Sequence, residues 1–210
     1  MTGLLAPLLA LTLAGCGDSS SPRATEPSEE PAPSSQPPTE SAAPPIDELC
    51  PARLALPADP DAPGSGTSGD ADEAPSLPTP EQAWTCRYDP VDAGQRPEGG
   101  PGYAWVRHGE PRVVGDADLD DLAEALAHLA PFDDAGRMCT TDLGPRWLVV
   151  YPHDDGLVGV VVDDFGCRDV RLTDDPAETP PGAAEGDGLV RGALDGGAAV
   201  LAAVGVGRSS

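Results

Sequence analysis

Apolar positions along this chain fall into one continuous run, a long gap, and then a stretch where they alternate or recur at helical spacing. The run extends from Leu4 to Leu13 and closes on Leu13-Ala14-Gly15-Cys16. From Gly17 to about Pro45 the chain is Ser, Pro, Glu, Thr and Ala with no aromatic residue, a composition that cannot bury enough surface to fold. Regular patterning begins near residue 81. Thr85 to Tyr88 predicts a strand stopped by Asp89-Pro90, and Tyr103 to Arg107 with Arg112 to Val114 predict a hairpin about His108-Gly109-Glu110-Pro111. Leu119, Leu122, Ala123, Leu126 and Leu129 then share one helical face, opened by Gly115-Asp116 and ended by Pro131. Asp116, Asp118, Asp120 and Asp121 crowd the first turn, where the positive helix end favours them. Arg146 to Tyr151 and Leu157 to Asp163 are β-rich runs split by the turn signal Pro152-His153-Asp154-Asp155-Gly156, and Asp169 to Leu172 predicts another strand. Leu194, Ala198, Leu201 and Val204 predict a helix within Leu189 to Val204, weakened by Gly196-Gly197. Together these elements predict an α+β fold: an antiparallel sheet of four to five strands with one or two helices on one face.

Composition sharpens the boundaries. The 210 residues include 26 Pro and 25 Gly, so length overstates folded mass. The three Trp, three Tyr and two Phe all lie between Trp84 and Phe165, which marks where the core is. The expected organisation is a leader over 1–15, an acidic Pro/Ser-rich disordered tether over 16–45, a short segment over 46–56, a low-complexity linker over 57–80 and a globular domain over 81–204. That domain is large enough for one core and too small for two.

The apolar run followed by Leu13-Ala14-Gly15-Cys16 resembles the leader and lipobox of bacterial lipoproteins. The resemblance implies that Cys16 becomes the first mature residue, carries a diacylglyceryl group and holds the protein to the extracytoplasmic face of the cell membrane. The opening Met1-Thr2-Gly3 carries no Lys or Arg, so the apolar run and the cysteine bear the signal. A buried N-terminal helix with an ordinary thiol is the competing reading. It leaves a ten-residue apolar helix next to a non-folding tail, with nothing to pack against. The run is too short to span a bilayer. A tether of about thirty residues has a typical span of about 30 Å, enough to hold the domain clear of the bilayer.

Charge excludes some partners. The formal net charge is −24, carried in the domain by pairs such as Asp120-Asp121, Asp133-Asp134, Asp154-Asp155, Asp163-Asp164 and Asp174-Asp175. This sign repels nucleic-acid phosphates and anionic headgroups, so nucleic acid is not expected as a partner and an acyl chain must supply any membrane attachment. A protein or small-molecule ligand at the cell surface is the expected partner, and a basic one suits the charge. All twelve cationic side chains are Arg; Lys and Asn are absent.

Setting Cys16 aside leaves Cys50, Cys86, Cys139 and Cys167, an even set that predicts two disulfides in an exported protein. Folding the chain about the Pro152–Gly156 turn brings Cys139 opposite Cys167 to within a residue, which leaves Cys50 for Cys86. Loops of this length are worth roughly 3.5–4 kcal/mol each in the chain-entropy model. No pair has the Cys-x-x-Cys spacing of a zinc site.

Between Leu77 and Arg208 there is no Ser, and the chain has no Lys. With the cysteines oxidised, the usual nucleophiles of covalent catalysis are missing and no catalytic residue, metal or cofactor is expected. His108 and His153 fall at predicted turns, and His128 lies opposite the leucine stripe of its helix, so all three read as solvated. Asp154, Asp155, Asp163 and Asp164 offer oxygens to calcium, but the regular Asp-x-Asp-x-Asp-Gly loop is missing. A solvated surface accounts for the acidic pairs.

The order of helix, Met138-Cys139, the Trp147–Tyr151 strand, the Gly159–Asp163 strand, Phe165 and Cys167 resembles the latter half of the bacterial subtilisin-inhibitor family over about fifty residues. The resemblance implies a small secreted α+β sandwich whose loop, here Thr140-Thr141-Asp142, inserts into a protease. Unlike that family, the first two cysteines are far apart and the loop carries acid, so no inhibitory residue is carried over. The expected function is a lipid-anchored cell-surface protein with a non-catalytic binding or interaction domain. The alternatives are a protease inhibitor, or a non-covalent hydrolase pairing a carboxylate with an aromatic platform at Trp105 or Trp147.

Overall fold

Side chains on successive strand residues point to opposite faces, so a sheet buried on both sides reads as a near-continuous apolar run. The Leu148–Tyr151 and Val158–Val162 runs meet that description, and both lie at the centre of the sheet in the computed structural model, which describes residues 45–56, 69–95, 101–133, 138–140, 142–154, 156–184 and 186–207. The elements in chain order are α1 (Ile46–Leu49), β1 (Trp84–Gln95), β2 (Pro101–Val113), α2 (Asp116–Ala127), β3 (Arg146–His153), β4 (Gly156–Asp163), β5 (Val170–Thr173) and α3 (Gly197–Ala203). The five strands form one antiparallel sheet ordered β2-β1-β3-β4-β5. The α+β expectation is met: a five-stranded sheet, with α2 and α3 contributing Leu122, Leu126, Val200 and Leu201 to the core on one face.

Apolar burial is divided by the sheet. On the helix face, Val149, Tyr151, Val160, Val162, Val170 and Leu172 meet α2 and α3. On the other face, Trp84, Cys86, Tyr88, Trp105, Leu148 and Val150 meet Leu49, Cys50 and Leu54. The 46–56 segment is therefore the cover of a second apolar layer, where one core was expected. Its backbone joins the edge of β2, with Leu54 N–H donating to the Trp105 carbonyl at 3.1 Å and Arg107 N–H to that of Ala52 at 3.0 Å. The Arg107 guanidinium also donates to the Cys50 carbonyl. Residues 69–80, read as linker, are likewise built in: Ala71 is buried in the helix-face core and Asp70 bridges Ala193.

Three local expectations are corrected. β1 does not stop at Asp89-Pro90; its pairing with β3 ends at Tyr88, and beyond it only β2 is a partner, so Pro90 interrupts no second ladder. His108-Gly109-Glu110-Pro111 is not a turn. It is an irregularity within one long β2, where the register shifts between Thr85 and Arg87 and Gly109 takes φ +76°. Finally, α3 is short. Gly196 takes φ +114° at its N-cap, and a Cβ on Gly197 would run into the Arg168 carbonyl. The glycine pair thus starts the helix where it meets the β4–β5 connection, and does not weaken its middle.

Two buried phenols make opposite predictions. Tyr88 donates to the Pro51 carbonyl at 2.9 Å, whereas the Tyr151 hydroxyl has no hydrogen-bond partner among the described residues. Tyr88→Phe should cost about 1 kcal/mol, while Tyr151→Phe should be neutral or stabilising by up to about 1 kcal/mol. Burial raises both phenol pKa values, with Arg107 opposing at Tyr88. A folded pKa above the unfolded one makes their contribution complete below about pH 10 and lost as pH rises further. Urea unfolding at about pH 8 and about pH 11 checks both points. Equal losses for the two variants, or no fall at the higher pH, would contradict this reading.

Candidate functional sites

The β3–β4 register places Arg146 opposite Asp163, and both face away from α2 and α3. Arg146 Nε donates to Asp163 Oδ1 at 2.7 Å, and Arg171 Nη1, from β5, donates to Asp163 Oδ2 at 2.8 Å. Arg171 Nη2 reaches Asp169 at 2.9 Å. The Arg146 guanidinium lies 3.8 Å from the ring centroid of Trp105, whose Nε1–H donates to the Gly144 carbonyl at 3.3 Å. Arg146, Asp163 and Arg171 are 2%, 4% and 5% exposed, so solvent does little to screen these charges. Burial lowers the Arg146 pKa to about 10, opposed chiefly by Asp163, and the guanidinium remains charged at neutral pH.

This cluster corrects the solvated reading for Asp163 alone; Asp120, Asp121, Asp133, Asp154, Asp174 and Asp175 are exposed, as expected. Asp163 spends each carboxylate oxygen on a different arginine, which withdraws it from any calcium ligand set. Sequence reasoning also missed Arg171. The signal was a charge in the middle of a four-residue strand, at a position alternating with buried Val170 and Leu172. Trp105, offered as an aromatic platform, is fully buried under Arg146 and presents no face to a sugar. Trp147 is half-buried on the other side of the sheet, with Arg112 5.5 Å from its ring centroid.

The cysteines pair as expected. Cys50 joins Cys86, with Cα atoms 6.1 Å apart, and Cys139 joins Cys167 at 5.0 Å. Cys16 lies outside the described residues, as does Thr141. The three histidines are exposed and scattered. His108 Nδ1 sits 3.0 Å from Asp89, His153 Nε2 is 3.2 Å from Asp154, and His128 Nδ1 is 2.7 Å from the Glu124 carbonyl. Among the described residues, no group of three or more His, Cys, Asp or Glu is arranged to hold a metal ion.

Concavities indent the surface of the described residues. One, of about 440 Å³, runs between α2 and α3, with Asp121, Glu124 and His128 on one wall and Ala199, Ala202 and Ala203 on the other. The second, of about 390 Å³, lies between Asp72 and Glu73 on one side and Leu189, Val190 and Arg191 on the other. Both volumes fall in the range of small-ligand clefts. A third exposed feature is the loop into β3, where Met138 is 96% and Leu143 41% exposed. Set against known proteins, the chain matches no family model, no curated protein and no solved structure.

Proposed function

We propose that this chain is an exported protein, lipid-anchored through Cys16 at the extracytoplasmic face of the cell membrane, which presents a non-catalytic binding or interaction domain there. The observation that carries the proposal is the Leu4–Leu13 apolar run ending in Leu13-Ala14-Gly15-Cys16 and followed at once by a Pro/Ser/Glu-rich segment. Two disulfides in so small a domain fit an oxidising compartment. The clefts have ligand-sized volumes, and the absence of Ser between Leu77 and Arg208 and of Lys from the chain supports binding over covalent chemistry. Among the described residues no helix is long and apolar enough to cross a membrane, so attachment in this reading falls to the lipid.

Fractionation tests the anchor. The wild-type chain should sediment with membranes and be released by detergent, whereas Cys16→Ala should be soluble. Equal partitioning of the two would contradict the proposal. A second reading, a protease inhibitor of the subtilisin-inhibitor type, draws on the exposed loop beside Cys139. It requires tight inhibition of a subtilisin-type enzyme with clipping near Thr141. The binding reading requires instead a melting temperature that rises with ligand.

A further inference from the structure

An aspartate followed by glycine can rearrange without any enzyme, because the glycine side chain does not shield the nitrogen that attacks the carboxyl group. Asp-Gly occurs here at Asp155-Gly156, Asp187-Gly188 and Asp195-Gly196. Asp155 lies outside the described residues, and Asp187 and Asp195 are both exposed. These last two differ in where the carboxylate sits. The Gly196 N–H donates to Asp195 Oδ1 at 2.7 Å. A carbon–oxygen bond is about 1.2 Å long, so Asp195 Cγ lies within about 4 Å of that nitrogen. Among the described residues, the Asp187 carboxylate makes no such contact with Gly188. The fold also requires the susceptible pair. Gly196 takes φ +114°, which L side chains rarely adopt, so glycine is needed there. Asp195 bridges Ala130, donating at 2.8 Å and accepting at 3.4 Å. The longer bond is the one to the Asp195 carbonyl, the group that must turn as a ring closes onto Gly196.

We propose that Asp195 is a site of spontaneous isomerisation, and that its conversion to isoaspartate displaces α3. The Gly196 nitrogen attacks Cγ of the protonated Asp195 carboxyl. The N–Cγ bond forms, and the carboxyl hydroxyl leaves with the amide proton as water. Water then adds to either carbonyl of the resulting succinimide. Addition at Cγ restores aspartate. Addition at the main-chain carbonyl breaks its bond to the Gly196 nitrogen, so the chain now runs through Cγ, one methylene longer, beside a free α-carboxylate. One water leaves, one returns, and no electrons are transferred. The added length falls where α3 starts. Gly197 lies against the Arg168 carbonyl and the Val162 side chain with no room for a Cβ, so the extra atom is not absorbed there. Since α3 gives Val200 and Leu201 to the core and Ala199, Ala202 and Ala203 to the cleft shared with α2, ageing at one residue reshapes both.

Ageing the full chain in mildly acidic buffer, then digesting it for electron-transfer mass spectrometry, tests the site. Isoaspartate should accumulate at Asp195 at least about fivefold faster than at Asp187. In urea, where neither dipeptide is held, the two rates should converge. The melting temperature of the aged chain should fall by about 3 °C or more in step with conversion. Asp195→Glu replaces an exposed side chain with one that closes the ring far more slowly, so it should keep its starting value. The proposal is overturned if the folded chain ages no faster at Asp195 than at Asp187. It is also overturned if the preference persists undiminished in urea, because the local sequence would then set it. Conversion without a change in melting, or an equal fall in Asp195→Glu, would overturn the displacement of α3.

Discussion

Asp163→Ala should be the most destabilising single substitution in the domain, at about 3–5 kcal/mol, because it leaves two buried arginines facing each other without their shared carboxylate. Arg146 and Arg171 each donate to one Asp163 oxygen, and all three side chains are nearly shut off from solvent. Removing the acceptor abolishes both charge-assisted bonds and leaves Asp169, bonded to Arg171, to offset two neighbouring buried cations in a weakly polarisable setting. A small domain has only about 5–15 kcal/mol in total, so the variant should unfold at far lower urea, with an unchanged dependence on denaturant concentration. The intact cluster is not itself a large source of stability, since ions must be desolvated to form it. Replacing Arg146, Asp163, Asp169 and Arg171 together by apolar residues of similar size should therefore cost much less than Asp163→Ala. A loss below about 1 kcal/mol for the single variant would mean that the cluster is solvated, contrary to its burial.

The helix Asp116–Ala127 and the β3–β4 hairpin were legible in the sequence because each carries a clean period: leucines on one helical face, and unbroken β-branched runs for strands buried on both sides. The Asp163 cluster was not legible. A lone carboxylate in a chain of net charge −24 reads as solvated, and only the register that sets Arg146 beside it reveals the partner. The β1–β2 pair was misread for a related reason. Pro90 and Gly109 are turn residues locally, yet the part of β1 beyond Tyr88 pairs with β2 alone and tolerates a proline, and a register irregularity absorbs a glycine at positive φ. The 69–80 segment looked like linker because its contribution is backbone bridging and a few scattered side chains, Ala71 and Leu77 among them, with no periodic apolar pattern. Both disulfide pairings, by contrast, followed from one hairpin and parity.

Cys50→Ala/Cys86→Ala should cost about 4 kcal/mol, because the bridge closes a sequence separation of 36 residues that the unfolded chain would otherwise explore. The effect should be local in a diagnostic way. Leu49 and Leu54 are 1% and 3% exposed against Trp84, Tyr88 and Trp105, so releasing the 46–56 segment uncovers aromatic surface. Tryptophan emission should shift to the red before the sheet melts, giving two transitions where the parent shows one. A loss under about 1 kcal/mol, or coincident transitions in the double variant, would show that hydrogen bonding to β2 and the apolar contacts hold this segment without the bridge.

Export and anchoring underlie the functional reading, and mass spectrometry of the chain extracted from membranes tests them most directly. The account predicts an N-terminal peptide that begins at Cys16 and carries a diacylglyceryl thioether. A chain that retains Met1, or a Cys16 with a free thiol, would contradict it.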